Sequence, residues 1–290
     1  MHELSSPVLA ALRLCLLGAL TLVVVPPALA MRAARRHGAL ARWVRLWWRG
    51  IAWAAGLRIN QSGAIADTAR PVLFVSNHAG YLDIIVLGAL LPACFVSKAE
   101  VSGWPVFGWL SRLGRTVFIQ RKAARSASQR DELTARLAAG DSLILFPEGT
   151  SSDGNRTLPF KSSLFAIAAH DQGRLPVQPI SIAYTRLDGM AVGHAWRPLF
   201  AWYGAMALVP HFWCYLGLGK VGVELRFHPP TTLAEHASRK ALSAACHRVV
   251  ARGVGEALTG RPGAPPVGEP AAQLDLAGAN ASFLSKAGAA

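Results

Sequence analysis

Charge is scarce in this 290-residue chain. Asp, Glu, Lys and Arg together make 16% of it, well under the roughly 25% of ordinary soluble domains. With 52% apolar residues and a mean hydropathy of +0.31, disorder over the whole length is excluded, and a simple water-soluble enzyme is a poor fit. Cysteines are few and scattered: Cys15, Cys94, Cys214 and Cys246 form no CxxC pair, which argues against a disulfide framework or a zinc ribbon and suits a reducing compartment. His211 and Cys214 make an isolated HxxC, too little for a metal site, so no metal is expected. No serine sits in a G-x-S-x-G context, which removes the usual serine hydrolases. The run Gly217–Gly222 formally reads GxGxxG, but it precedes a strand pattern and opens no helix, so it carries no dinucleotide argument. Length allows one large domain or two small ones.

Acidic residues are the scarcer charge, 16 against 30 Lys and Arg, for a net +14. Half of that excess lies in residues 1–60, which hold eight arginines and one glutamate. A basic excess seeks a polyanion, either nucleic acid or anionic lipid. Its neighbours decide. Residues 14–31 (LCLLGALTLVVVPPALAM) are uncharged and, as a helix, barely long enough for a bilayer core. Pro26 and Pro27 predict a kink or an end there, so the segment either spans or dips and returns. Arg32, Arg35 and Arg36 follow it, which places the downstream chain on the cytoplasmic side of the inner (plasma) membrane. In Ala39–Leu57, Arg42, Arg45 and Arg49 share one helical face, and Trp43, Trp47, Trp48 and Trp53 occupy much of the rest, the pattern of a helix lying among headgroups. The expected partner is therefore the lipid bilayer and not nucleic acid. Ala28-Leu29-Ala30 resembles a signal-peptidase site, but residues 1–12 lack the basic start of a signal peptide, so the segment reads as a retained anchor.

The remainder alternates short apolar runs with helical stretches. Strands are predicted at 71–76, 93–96, 116–119, 142–146, 177–184 and 221–228, and helices at 84–91, 126–139, 161–170 and 238–258. This alternation predicts an α/β fold with a mostly parallel sheet flanked by helices. The chain divides into an anchor (1–58), a catalytic domain (59–258) and a Pro/Gly/Ala-rich flexible tail (259–290). Residues 196–219 interrupt the alternation with an aromatic, nearly uncharged stretch, either a second membrane-facing surface or a helix covering the core.

Two elements carry chemistry. Asn77-His78-Ala79-Gly80-Tyr81-Leu82-Asp83 follows a predicted strand. His78 and Asp83 do not share a face of one helix. They meet if His78 lies in the loop at the strand's C-terminal end and Asp83 opens the next helix, where α/β sheets place ligands. Asp83 would then hold the imidazole in one tautomer while His78 takes a proton from a hydroxyl. Phe146-Pro147-Glu148-Gly149-Thr150 follows a second strand, a tight turn able to present Glu148 and backbone N–H groups into the same crevice. Arg121, at the end of Gly114–Arg121, and Lys161, after Pro159-Phe160, are candidate anion binders.

These blocks resemble those of a known family. NHAGYLD matches the NHx4D motif of the glycerolipid acyltransferases typified by bacterial 1-acyl-glycerol-3-phosphate acyltransferase. GRTVFIQR looks like their second block, FPEGT matches the third, and LPVQPI (175–180) is similar to the fourth. The resemblance covers about residues 70–180. It implies transfer of a fatty acyl group from acyl-CoA or acyl carrier protein to a lysolipid hydroxyl, with no cofactor. It also implies His78 and Asp83 as the catalytic pair, binding roles for Arg121, Glu148, Gly149, Thr150 and Lys161, and an N-terminal helical hairpin dipping into one leaflet. Two departures touch the acceptor: Ser151-Ser152 stand where many members carry an arginine, and Gln120 replaces a common acidic residue. Residues 146–162 and 201–213 look similar to the lyso-ornithine lipid acyltransferase branch, whose acceptor has no phosphate. Synthesis of phosphatidic acid is the family default, acylation of lyso-ornithine lipid the alternative, and a non-catalytic lipid-binding protein the alternative of another class.

Overall fold

A computed structural model describes residues 4–98, 103, 116–119 and 126–261. Helix α1 (Pro7–Ala33) opens with the Ser6 side chain accepting from the Leu9 amide and with proline in its first turn, the favoured start. Its 27 residues give about 40 Å of helix. Of the two outcomes expected of Pro26 and Pro27, an end does not occur, because both lie inside the helix. Beside the turn that lacks their two amides, the Trp43 indole N–H donates to the Val24 carbonyl at 3.0 Å. α1 is long and apolar enough to cross a membrane. It keeps Leu22 at 75% and Val23 at 68% exposure while burying small or single side chains, Ala10, Leu17 and Ala28.

Helix α2 (His37–Ala54) folds back on α1, giving the expected hairpin. Its tryptophans depart from expectation. Trp43 and Trp47 bond α1, the latter through Thr21, and Trp48 packs over Gly88. Trp53 alone of the four is exposed. Ring area that would otherwise face lipid joins α2 to its neighbours, because an indole N–H next to a carbonyl or hydroxyl satisfies both.

The sheet has the order β1-β8-β6-β2-β5-β3-β4, with β7 paired to β6. The strands are β1 (Leu57–Ser62), β2 (Leu73–Ser76), β3 (Ala93–Lys98), β4 (Val117–Ile119), β5 (Ser142–Leu145), β6 (Val177–Leu187), β7 (Met190–Ala191) and β8 (Val221–Phe227). β2 and β5 are buried at every position, as central parallel strands must be when helices cover both faces. All neighbouring pairs are parallel except β6 with β8 and β6 with β7. β1 has no counterpart among the predicted strands. Its sequence, LRINQS, is mostly exposed and carries little apolar pattern, and it begins two residues before position 59.

Helices α3 (Tyr81–Leu90) and α5 (Leu208–Leu216) join α1 and α2 in one apolar layer against the sheet. Helices α4 (Ser126–Ala138) and α6 (Arg239–Thr259) lie in the other, with the segment Ser162–Gly173. The helix expected at 161–170 is that segment, a 3-10 helix interrupted at His170, Asp171 and Gln172, where two left-handed residues turn the chain. Residues 196–219 prove to serve the core on one side only: α5 buries His211, Cys214, Tyr215 and Leu216 and leaves Val209 77% exposed. Of the expected tail, Thr259, Gly260 and Arg261 are described, and 262–290 lie outside the described residues.

Candidate active site

β2 and β5 are adjacent and parallel, so the loops that follow them open on the same edge of the sheet. Asn77, the first residue after β2, is a rivet. Its side-chain amide donates to the Ile182 carbonyl and its oxygen accepts from the Ile182 amide, both at 2.9 Å. That fixes the strand end against β6, and His78 follows directly.

The His78 Nδ1 lies 2.8 Å from Asp83 Oδ2. Asp83 sits in the first turn of α3 and is fully buried. The same Oδ2 accepts the backbone N–H of Ala79 at 2.6 Å and of Gly80 at 3.0 Å, while Oδ1 accepts the Tyr184 hydroxyl at 2.7 Å. A carboxylate only accepts, so Nδ1 carries the proton and donates, which leaves Nε2 with its lone pair. The His78 side chain keeps 20% exposure against none for Asp83, and the imidazole stacks on Phe146 with ring centroids 4.0 Å apart. A proton acceptor of fixed orientation therefore faces outward with a buried, fully bonded anion behind it.

The backbone of this loop is held from three sides. The Ser152 amide donates to the His78 carbonyl, the Trp202 amide to the Ala79 carbonyl, and the His78 amide to Glu148 Oε1 at 3.1 Å. Gly80 is required by contact: a Cβ there would stand 2.7 Å from the Trp202 backbone nitrogen. Trp202 also ties in the second loop, because the Ser151 hydroxyl donates to its carbonyl at 2.6 Å.

Of the predicted binding residues, Glu148 is 1% exposed and supports the His78 loop. Burial pushes its carboxyl up to about 9, with the His78 and Leu158 amides pulling the other way. Gly149 has φ +68°, a left-handed turn that suits glycine, and the Lys161 ammonium lies 2.9 Å from where its Cβ would be. Thr150 and Lys161 are exposed. Arg121 and Gln120 lie outside the described residues. Sequence reasoning missed Tyr184, whose signal is the single phenol in strand β6, and Trp202, whose role is made by its backbone and carries no side-chain signature. Among the described residues no group of three or more His, Cys, Asp or Glu is placed to hold a metal.

Residues 58–183 match the model of a family described as Acyltransferase. The chain is 43% identical over 220 residues to a lyso-ornithine lipid O-acyltransferase of Brucella abortus (strain 2308), covering 73% of this chain and 82% of that one. It is 29% identical over 195 residues to a 1-acyl-sn-glycerol-3-phosphate acyltransferase of Neisseria meningitidis serogroup B, covering 67% of this chain and 73% of that one. In three dimensions it resembles the crystal structure of the 1-acyl-sn-glycerophosphate (LPA) acyltransferase PlsC from Thermotoga maritima, with a TM-score of 0.66, 22% identity, and coverage of 88% of this chain and 96% of that one.

Proposed function

This chain is an acyltransferase of the family that includes lyso-ornithine lipid and 1-acyl-sn-glycerol-3-phosphate O-acyltransferases, and from that premise we propose that it moves a fatty acyl group from an acyl-thioester to the hydroxyl of lyso-ornithine lipid at a membrane surface. The observation that carries the chemistry is the 2.8 Å contact of His78 Nδ1 with Asp83, which leaves Nε2 as a base of fixed direction. The acceptor hydroxyl gives its proton to Nε2 as its oxygen attacks the thioester carbonyl. The tetrahedral intermediate then collapses, expels the thiolate and returns the proton to it. Asp83 orients the imidazole and stabilises its charged form. No enzyme nucleophile enters. The donor is acyl-CoA or acyl carrier protein, and Arg121 and Lys161 are proposed to attract its phosphates or the acceptor headgroup.

Lyso-ornithine lipid takes precedence over the phosphate-bearing acceptor for two reasons. Identity is 43% to a relative named for the former and 29% to one named for the latter. In addition, Ser151, at the position where many members carry arginine, has its hydroxyl engaged by the Trp202 carbonyl, so this position supplies no cation for a phosphate. α1, with its outward apolar side chains, and the basic α2 support a seat on the cytoplasmic face of the inner membrane, and the burial of Ala28 against Leu40 makes the stretch around the signal-peptidase-like site part of the hairpin. The test supplies purified protein with labelled acyl-CoA and, in parallel, lyso-ornithine lipid and lysophosphatidic acid, with products identified by mass. Ornithine lipid is the expected product. Phosphatidic acid alone would reverse the order of acceptors, and no acylated product from either would remove the reading.

A further inference from the structure

From Pro198 to Gly219 the chain carries no Asp, Glu, Lys or Arg, a longer uncharged run than the one within α1. Its helix α5 has two unlike faces. The inner face is knitted to the protein: the Tyr81 hydroxyl and His211 Nδ1 are 2.9 Å apart, and the Tyr215 hydroxyl donates to the Ala55 carbonyl. The outer face carries Val209 at 77% and Trp213 at 39% exposure, one turn apart, with exposed Pro210 between them. Single exposed apolar residues are ordinary; this face is continuous with another. α1 runs beside α5 and exposes Val8 at 68% and Leu12 at 63%, and the shallow groove between the helices is lined by Leu14, Leu208, Val209, Phe212, Trp213 and Leu216.

The two helices are also bolted together. The Arg13 guanidinium donates to the carbonyls of Leu216, Leu218 and Gly219 at 3.1, 2.6 and 3.2 Å, and the Ser5 hydroxyl donates to the Cys214 carbonyl at 2.9 Å. Whatever medium bathes α1 at this level must meet α5 as well. A contiguous uncharged apolar face with a tryptophan on it fits the acyl–headgroup boundary of a bilayer. We infer that the outer face of α5 is a second membrane-inserting surface, seated in the leaflet that receives the hairpin. Tyr81, three residues from His78, packs edge-on to Phe212 with centroids 5.6 Å apart. An α5 held in lipid thus sets the height of the His78 loop above the acyl chains, where a lysolipid presents its hydroxyl.

This inference rests on membrane association as proposed above, and the experiment separates the two. Native Cys15 is exposed on α1 while Cys94, Cys214 and Cys246 are buried, so an environment-sensitive fluorophore on Cys15 reports α1. The same label on Val209→Cys in a Cys15→Ser background reports α5, and Lys240→Cys in that background reports the opposite layer. Each full-length variant, checked for retained acyl transfer, is mixed with phosphatidylglycerol–phosphatidylethanolamine vesicles containing brominated lipid. Blue-shifted, quenched emission at 15 and 209 with water-like emission at 240 is expected. Water-like emission at 209 with quenching at 15 overturns the inference and leaves membrane association standing. Water-like emission at both removes membrane association and the inference with it. Equal quenching at 209 and 240 also overturns it, because lipid contact would not then single out α5.

Discussion

The α1–α2 hairpin and the sheet domain it rests on are packed with opposite polarity. The hairpin leaves several leucines and valines outward while fully covering Ala10 and Ala28, with Leu22 three-quarters exposed. The domain buries Asn77, Asp83, Glu148, Ser152 and Gln178 at 4% exposure or less. In water the first arrangement forfeits burial free energy of about 25 cal/mol per Å² of apolar surface, and the second incurs desolvation costs offset only by bonding. The difference teaches that the two regions answer to different solvents. Polar groups inside the domain are arranged to fix the His78 loop, whereas the apolar groups outside the hairpin suit the lipid surface proposed above. Arginines join the halves: Arg13 on the carbonyls at the end of α5, and Arg49 of α2 on the Ala89 carbonyl near the end of α3 at 3.0 Å. A cation at a helix C-terminus meets both the unpaired carbonyls and the macrodipole.

The contrast can be broken most severely inside the domain. His78→Ala should cut kcat by about 10²–10⁴ while vesicle co-sedimentation is unchanged; acyl transfer at wild-type rate would end the mechanism. Tyr184→Phe removes one donor from the buried carboxylate. A roughly tenfold or greater fall in kcat is expected, with acceptor KM retained. A fall in stability with kcat unchanged would assign Tyr184 to packing alone. At the join, Arg13→Leu should lower stability by about 2 kcal/mol, read by denaturant titration in detergent, with a smaller loss of kcat; unchanged stability would show that the two regions are not coupled through this contact. The remaining effect is electrostatic. Burial lets Glu148 hold its proton up to about 9 in the fold, against an ordinary 4.5. The folded state therefore binds the proton more tightly, and wild-type stability should fall as pH rises from about 4.5 towards 9. Glu148→Gln lacks this titration, so its Tm should gain on wild type across that window; a difference independent of pH would show that Glu148 is ionised.

The α/β alternation and the two N-terminal helices were legible in local pattern, whereas the hairpin and the roles of His78 and Asp83 were carried by the family resemblance. Buried strands such as LFVS and SLIL are continuous apolar runs, and NHAGYLD has its glycine where the loop must approach Trp202. What escaped depended on distance along the chain. Tyr184 reaches Asp83 across 101 residues from a strand whose pattern reads simply as core. β1 is defined by its partner β8 more than by its own polar residues. Trp43 and Trp47 carry the composition of a lipid-facing surface, and only the hydroxyl and carbonyl of α1 opposite them turn their indoles inward. Pro26 and Pro27 forbid two hydrogen bonds but not the helix.

The Arg13 contacts have a consequence for synthesis. The residues that receive its guanidinium lie 203 to 206 positions further along, and β1, next after the hairpin, pairs with β8. The hairpin is thus completed by residues synthesised long after it, so it is made well before its seat on the domain exists. A nascent chain stopped before Leu216 would hold the hairpin without its Arg13 seat and with β8 still missing from the sheet, so assembly closes late-made residues back onto earlier ones.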